Sequence, residues 1–237
     1  MESIGSDKSP GSSFYKGVMF ILVFFLIVGS AFFGSYGGFG WWEAWLLVGL
    51  WVLYFSLMLT VVRKTNPGVV EERSQSLEKI SQRWDRAIIG TYQVISLSLY
   101  VIAGLDVGRF GWSGGLPDWL KWLGFSLSLF VYLISFWAII SNPFASGVVR
   151  IQGERGHQVF TNGPYRYIRH PMYLGTVVYG IGFPLFLESF WALIPGVIVI
   201  GLFVLRTSLE DRYLHANLPG YREYARQTRY RLLPGIW

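Results

Sequence analysis

The sequence predicts an all-α, polytopic membrane protein with about six transmembrane helices, cytoplasmic interfacial helices and a C-terminal cytoplasmic helix. Composition is the first reason: of 237 residues, 52% are hydrophobic and 14% charged, at a mean hydropathy of +0.41, which is the profile of a chain solvated by lipid. Apolar residues also gather in six runs, each near the roughly 20 residues that a helix needs to cross the hydrocarbon core. Finally, Lys and Arg alternate between the inter-helix segments. The tail carries two, 63–86 six, 141–170 four and 206–237 six, leaving only Arg109 and Lys121 for the other side. Basic residues favour cytoplasmic loops, so both termini are expected in the cytoplasm.

Residues 1–13 are polar and rich in Ser and Gly, a composition expected to stay disordered. The runs then fall at 17–35, 42–62, 87–105, 119–140, 171–187 and 190–205. The first resembles a signal peptide in its small residues Gly29 and Ala31, but Glu2 and Asp7 offset Lys8 and Lys16 ahead of it. Residues 14–140 are read as a four-helix membrane region. The last two runs, joined by Glu188-Ser189, are expected to form a tight hairpin within a second region, 141–237. Between the second and third runs, Leu77, Ile80, Trp84 and Ile88 recur at helical spacing among charges, predicting an amphipathic helix over 63–86 on the cytoplasmic face. The sixth run continues through Arg206, Glu210, Tyr213 and Asn217 on one face and is expected to stop near Leu218-Pro219-Gly220.

Several classes are excluded or disfavoured. Without cysteine there are no disulfides, thiolate nucleophiles or Cys-based metal sites. His157, His170 and His215 lack metal-ligand spacing, so no metal is expected. The net charge of +6 is spread over several loops rather than one stripe, which fits topology and not a nucleic-acid partner. No internal repeat and no Gly-x-Gly-x-x-Gly fingerprint occurs. Ionisable residues stop at the ends of the runs, at Glu43, Asp106, Lys121, Glu188 and Arg206, whereas pumps and ion-coupled transporters keep some at depth. Chemistry is therefore expected at the cytoplasmic interface.

The stretch from Gly156 to Gly175, GHQVFTNGPYRYIRHPMYLG, concentrates the candidate residues. Pro171 opens an apolar run and suits a first helical position. The N–H groups of that first turn, with Arg169 and His170 beside them, make a place for an anionic group, while the tyrosines offer faces to a ring or a cation. Membrane anchoring by interfacial Tyr and Arg is the competing explanation for any one of these residues. For Arg206 and Glu210 the competing explanation is an interfacial i,i+4 ion pair.

GPYRYIRHPMYLG resembles the signature of the isoprenylcysteine carboxyl methyltransferase and phospholipid N-methyltransferase superfamily, with its Arg-His-Pro-x-Tyr-x-Gly core. The likeness runs from about Gly147 to Trp237 and includes Glu210-Asp211, where the family has two glutamates, and the pair Tyr221 and Tyr224. It implies S-adenosylmethionine as cofactor and a lipophilic small molecule or lipid as acceptor. By position it implies cofactor contacts at His157, Gln158, Val159, Phe160, Tyr165, His170, Pro171, Met172, Tyr173 and Glu210, and a methyl acceptor facing Arg206. A carboxylate acceptor needs orientation by Arg206 and no base; an amine, thiol or phenol needs a base, Glu210 or His170. The catalytic candidates are thus Arg206, Glu210 and His170. Two other classes stay open: an NADPH-dependent membrane reductase of the sterol type, which shares a late His-Pro-x-Tyr-x-Gly segment, and a non-enzymatic scaffold or carrier.

Overall fold

The computed structural model describes residue 19, residues 22–75 and residues 79–237; the expected disordered tail, 1–13, lies outside them. Helices and turns account for all regular structure among the described residues. In chain order these are α1 (Leu22–Gly34), α2 (Trp42–Thr65), α3 (Pro67–Ser74), α4 (Arg83–Phe110), α5 (Asp118–Ser141), α6 (Pro171–Phe186), α7 (Leu193–Asn217) and α8 (Tyr221–Gln227). Helices α2, α4, α5 and α7 are long and apolar enough to cross a membrane; α1 and α6 are shorter. Six runs therefore become four full-length candidates and two short apolar helices among the described residues. The protein is an integral, multi-pass membrane protein.

The amphipathic helix expected over 63–86 is not formed as one piece. Arg63–Thr65 closes α2, and Asn66 leaves the helical region at φ −141° before Pro67 starts α3. Proline excludes the helical conformation at the residue before it and lacks the N–H that would continue the ladder. Ile80 lies in the link ahead of α4 and Trp84 already belongs to α4, so they share no helix face; Leu77 is outside the described residues. The Asn66 side-chain amide donates to the Ile140 carbonyl at 3.1 Å, fixing the α2–α3 corner to the end of α5.

Glycines set the closest helix approaches. A Cβ on Gly180 of α6 would lie 2.5 Å from the Gly196 carbonyl oxygen of α7, and one on Gly182 would lie 2.9 Å from the Leu127 Cβ of α5. Around them Phe32, Leu47, Leu99, Phe183, Phe186 and Leu187 are fully buried. The α6–α7 hairpin forms as expected, with Leu187–Ala192 as its link, and α7 runs unbroken until Leu218 turns extended and Gly220 takes a φ of 80°. Helix α2 approaches α5 along its π-helical stretch Met58–Val62, and it also meets the bundle through aromatic side chains such as Trp51 against Phe183 and Tyr54 against Tyr132.

At the end of the bundle opposite α3 and α8, charges serve structure. Lys121 sits 3.4 Å from Glu43 and 3.0 Å from Glu188. Asp106 accepts from the Ser113 N–H and from the Ser113 and Ser189 hydroxyls. Arg109 donates to the Ser35 and Gly34 carbonyls. The other end carries the non-helical segment 142–170, broken only by short 3-10 turns at Gly153–Arg155 and Gly163–Arg166.

Candidate active site

Pro171 occupies the first position of α6, and His170 ahead of it is extended enough to turn the chain, at φ −127° and ψ 63°. The Tyr173 and Leu174 N–H groups both close onto the His170 carbonyl, at 3.0 and 3.1 Å. The open helix end expected there is thus mostly consumed by its own turn; with proline contributing no donor, Met172 supplies the remaining N–H. The entry is clamped from outside, because the Arg169 and His170 N–H groups donate to the carbonyls of Tyr230 and Arg231, each at 3.0 Å.

A cleft of about 100 Å³ opens at this turn. Its walls come from 142–160, the start of α6, the end of α7 and α8. His157, Gln158, Val159, Phe160, Tyr165, His170, Pro171, Met172, Tyr173 and Glu210 all line it, together with Arg150, Arg169, Leu214, Tyr221 and Tyr224. Every residue expected at the cofactor is therefore brought to one cavity, although the set spans 157–210. The Tyr173 hydroxyl donates to the Glu210 carboxylate, and the Tyr173 ring lies parallel to that of His170, with centroids 5.6 Å apart.

Arg206, expected to face the acceptor, does not line the cleft. Its Nε donates to Asp85 Oδ1 at 2.8 Å and its Nη2 to the Gly147 carbonyl at 2.9 Å, while the guanidinium covers the Tyr173 ring at 4.8 Å. Asp85 in turn accepts the Val149 N–H at 2.8 Å. The i,i+4 ion pair with Glu210 does not form either, because a wholly buried carboxylate on α4 takes the cation and the Tyr173 phenol takes Glu210. Arg206 thus stands behind the cavity wall, tying α7, α4 and the 147–149 strap together and backing the Tyr173 ring.

Asp211 is the hub of the other wall. It pairs with Arg169 at 3.1 Å and Arg231 at 2.9 Å, accepts the Tyr221 hydroxyl at 2.9 Å and has His170 Nε2 at 3.5 Å. Arg169 contributes more than this pair uses: its Nε is buried and has no partner among the described residues. The Tyr224 hydroxyl donates to the Tyr165 carbonyl at 2.8 Å, fastening α8 to the Gly163–Arg166 turn.

The 142–160 strap is held by charge. Glu72 of α3, almost fully buried, receives a bidentate Arg150 at 2.7 and 2.9 Å and Lys79 at 2.9 Å, and the Arg150 hydrogen bonds hold its carboxyl down at about 2 against desolvation. Planar guanidinium-carboxylate forks of this kind fix geometry as well as charge. His157 packs on Phe144 with centroids 4.7 Å apart and accepts the Gln152 N–H at its Nδ1, 3.3 Å away. Burial, helped by Arg150 and Arg155, pushes its pKa down to about 4, so the ring is neutral at pH 7. Burial also raises the Tyr165 phenol to about 12 and holds that of Tyr221 above its usual range, so both stay protonated donors.

The family model for isoprenylcysteine carboxyl methyltransferases matches residues 122–216, from α5 through the Glu210-Asp211 end of α7. Over this segment the chain resembles the isoprenylcysteine carboxyl methyltransferase family. The match begins some 25 residues ahead of the Gly147 at which the sequence likeness starts, taking in α5. Among curated relatives, the protein-S-isoprenylcysteine O-methyltransferase of Schizosaccharomyces pombe is 31% identical over 108 residues, 45% of this chain and 45% of its own length. The cobalt-zinc-cadmium resistance protein CzcN of Cupriavidus metallidurans is 28% identical over 143 residues, 59% of this chain and 61% of its own. The chain therefore aligns with between about half and three-fifths of these relatives' lengths. Among solved structures, the eukaryotic intramembrane Ras methyltransferase shares the fold at a TM-score of 0.52 and 20% identity, over 92% of this chain and 85% of that one. The shared fold thus extends into the first half of the chain, where the sequence showed only spans.

Proposed function

We propose that the protein transfers a methyl group from S-adenosylmethionine to a lipophilic acceptor, with the cleft facing the cytoplasm. The observation that carries this reading is the convergence of the ten residues from His157 to Glu210 on one cleft beside a buried, unpartnered Arg169 Nε. The lining suits the cofactor's three chemistries. Arg169 and the Met172 N–H offer donors for its carboxylate, Glu210 an acceptor for a ribose hydroxyl or the amino group, and Tyr165, Tyr173 and Tyr221 electron-rich faces for its sulfonium. When bound, the cofactor supplies a methyl group on positive sulfur, which passes to the acceptor's nucleophilic atom while the carbon–sulfur bonding pair stays with sulfur.

What the protein contributes is alignment and dryness, and holding two reactants in line can supply roughly 7–11 kcal/mol of a barrier. The strap clamped by Glu72–Arg150 and Asp85–Val149 walls the cleft. His170, lodged between Tyr173, Asp211 and Tyr221, orients that wall. An acceptor that must lose a proton would give it to Glu210 or His170; a carboxylate acceptor needs neither. The clustering of polar groups at one end of the bundle, above apolar spans, supports lateral entry of the acceptor from the bilayer. Incubating the purified protein with methyl-tritiated S-adenosylmethionine and the lipid extract of its host membranes tests the proposal. Label appearing in an organic-soluble product, and lost in Glu210→Gln, is expected; label confined to water-soluble products would contradict it.

A further inference from the structure

A second groove lies outside the cleft, on the flank of the bundle. Its volume is about 270 Å³, and it runs between the Gly163–Arg166 turn and residues 227–234, with Arg166, Tyr167, Arg229 and Tyr230 on its walls. Hydrogen bonds to main-chain carbonyls hold its two sides together. The Arg169 N–H donates to the Tyr230 carbonyl at 3.0 Å, Arg169 Nη2 to the Arg229 carbonyl at 3.3 Å and the Thr228 hydroxyl to the Tyr165 carbonyl at 3.3 Å. Two guanidinium groups line the groove and no carboxylate does. Arg150, Arg169, Arg206 and Arg231 all close onto carboxylates, but the exposed Arg166 and Arg229 side chains have no hydrogen bond or ion pair among the described residues.

The surroundings fix the level of this groove in the membrane. The Tyr167 ring is 60% exposed and its centroid lies 6.5 Å from that of Trp137, one turn before the end of the membrane-crossing α5. Trp137 belongs to an exposed apolar stripe with Phe130, Leu133 and Ile140, spaced three and four residues apart on α5. Beyond the groove's other wall, Leu233 and Ile236 are exposed as well. Tryptophan and tyrosine favour the level of the lipid headgroups, so the two arginines stand at the membrane–water boundary above an apolar wall.

We propose that this groove binds the phosphodiester head of an anionic phospholipid, with an acyl chain lying along the exposed stripe of α5. The chain needs no opening between helices, because the stripe already faces the bilayer. Guanidinium groups suit the head because they offer paired donors to phosphate oxygens. With two arginines for one phosphate and no acid in the lining, a zwitterionic head would place its ammonium beside surplus positive charge, which favours an anionic head. The lipid is a partner and not a methyl acceptor, since the groove and the cleft share no lining residue. Their link is mechanical. The Arg169 and His170 N–H groups donate to the Tyr230 and Arg231 carbonyls, so a head held by Arg166 and Arg229 braces the clamp that closes the start of α6. The site stands whether or not the cleft transfers methyl groups.

The test is native mass spectrometry of the intact protein released from detergent micelles that contain equimolar phosphatidylglycerol and phosphatidylcholine with matched acyl chains. Wild type should retain phosphatidylglycerol over phosphatidylcholine by about tenfold, the order set by two arginines near a lipid phosphate. Arg166→Gln with Arg229→Gln should bring the ratio to within about twofold of unity, whereas Arg166→Lys with Arg229→Lys should keep part of the preference. Arg63→Gln with Lys64→Gln removes two exposed cations from the end of α2 and should leave the wild-type ratio. Melting temperatures in phosphatidylcholine alone should match wild type; if the glutamine pair melts lower, the single variants replace it, and each should lose part of the preference. Equal retention of the two lipids by wild type, an undiminished preference without the two arginines, or an equal loss in the Arg63 and Lys64 variant overturns the proposal. Displacement of the retained phosphatidylglycerol by an equal concentration of glycerol 3-phosphate would make the groove a free-phosphate site and would overturn it too.

Discussion

The Asp85–Arg206 pair permits a sharp energetic test, because the sequence and the structure assign Arg206 different work. Asp85 is wholly buried and Arg206 is 5% exposed, so Asp85→Asn would leave a guanidinium charge in the interior without its counter-ion. Removing one member of a buried pair costs roughly 3–5 kcal/mol, against about 0–1 for an exposed one. At roughly 2–4 °C per kcal/mol for a chain of this size, the melting temperature should fall by about 10 °C. Loss of the Asp85 contact to Val149 N–H would also free the strap. Replacing both partners with apolar residues, Asp85→Leu with Arg206→Met, should recover most of the loss, since an apolar pair of similar volume carries no buried charge. The assay is tryptophan-monitored thermal unfolding of wild type, Asp85→Leu, Arg206→Met and the double variant in one detergent, analysed as a double-mutant cycle with Asp85→Asn melted beside them. Single variants that each melt within 1 °C of wild type, with no coupling, would refute the placement of Arg206 behind the wall and return it to the open face expected from its spacing to Glu210.

Two further outcomes follow from the same contacts. His157 has its pKa lowered from 6.5 to about 4 in the folded protein, so the unfolded chain binds its proton first; the His157 contribution is complete above pH 6.5 and is lost as pH falls from there toward 4. Melting temperature measured across that window should decline in wild type and decline less in His157→Asn, and parallel slopes would contradict the burial of that ring. Gly196→Ala should destabilise by about 1–3 kcal/mol, because its Cβ would be driven onto the Gly180 carbonyl where α6 and α7 touch; an unchanged melt would show that the hairpin has room.

Local signals in the sequence made much of this legible. Pro171 marks the start of α6, and Leu218-Pro219-Gly220 marks the end of α7, because proline and glycine act on the backbone where they stand. The ordered string from His157 to Tyr173 carries the cleft lining within one short segment, needing only Glu210 from elsewhere. What stayed hidden is long-range pairing. Nothing near Asp85 indicates that it waits for Arg206, 121 residues on, and nothing near Glu72 indicates Arg150, 78 residues on. The i,i+4 spacing of Arg206 and Glu210 was a correct statement about one helix face; it failed as a pairing rule because α4 and Tyr173 offered better partners from outside the helix. The 63–86 pattern failed for a local reason that was visible: Pro67 ends one helix and begins another. Run length alone does not rank α6 with the longer spans, since its 16 residues are fewer than a full crossing needs.

The central claim is that the cleft between α6, α7 and the 142–160 strap holds S-adenosylmethionine. Calorimetric titration of detergent-purified protein with S-adenosylhomocysteine, beside an identical titration with NADPH, tests it most directly. Saturable binding of S-adenosylhomocysteine, weakened in Glu210→Gln and absent for NADPH, is the expected result. Saturable NADPH binding with no heat from S-adenosylhomocysteine would contradict the account and move the protein to the reductase class.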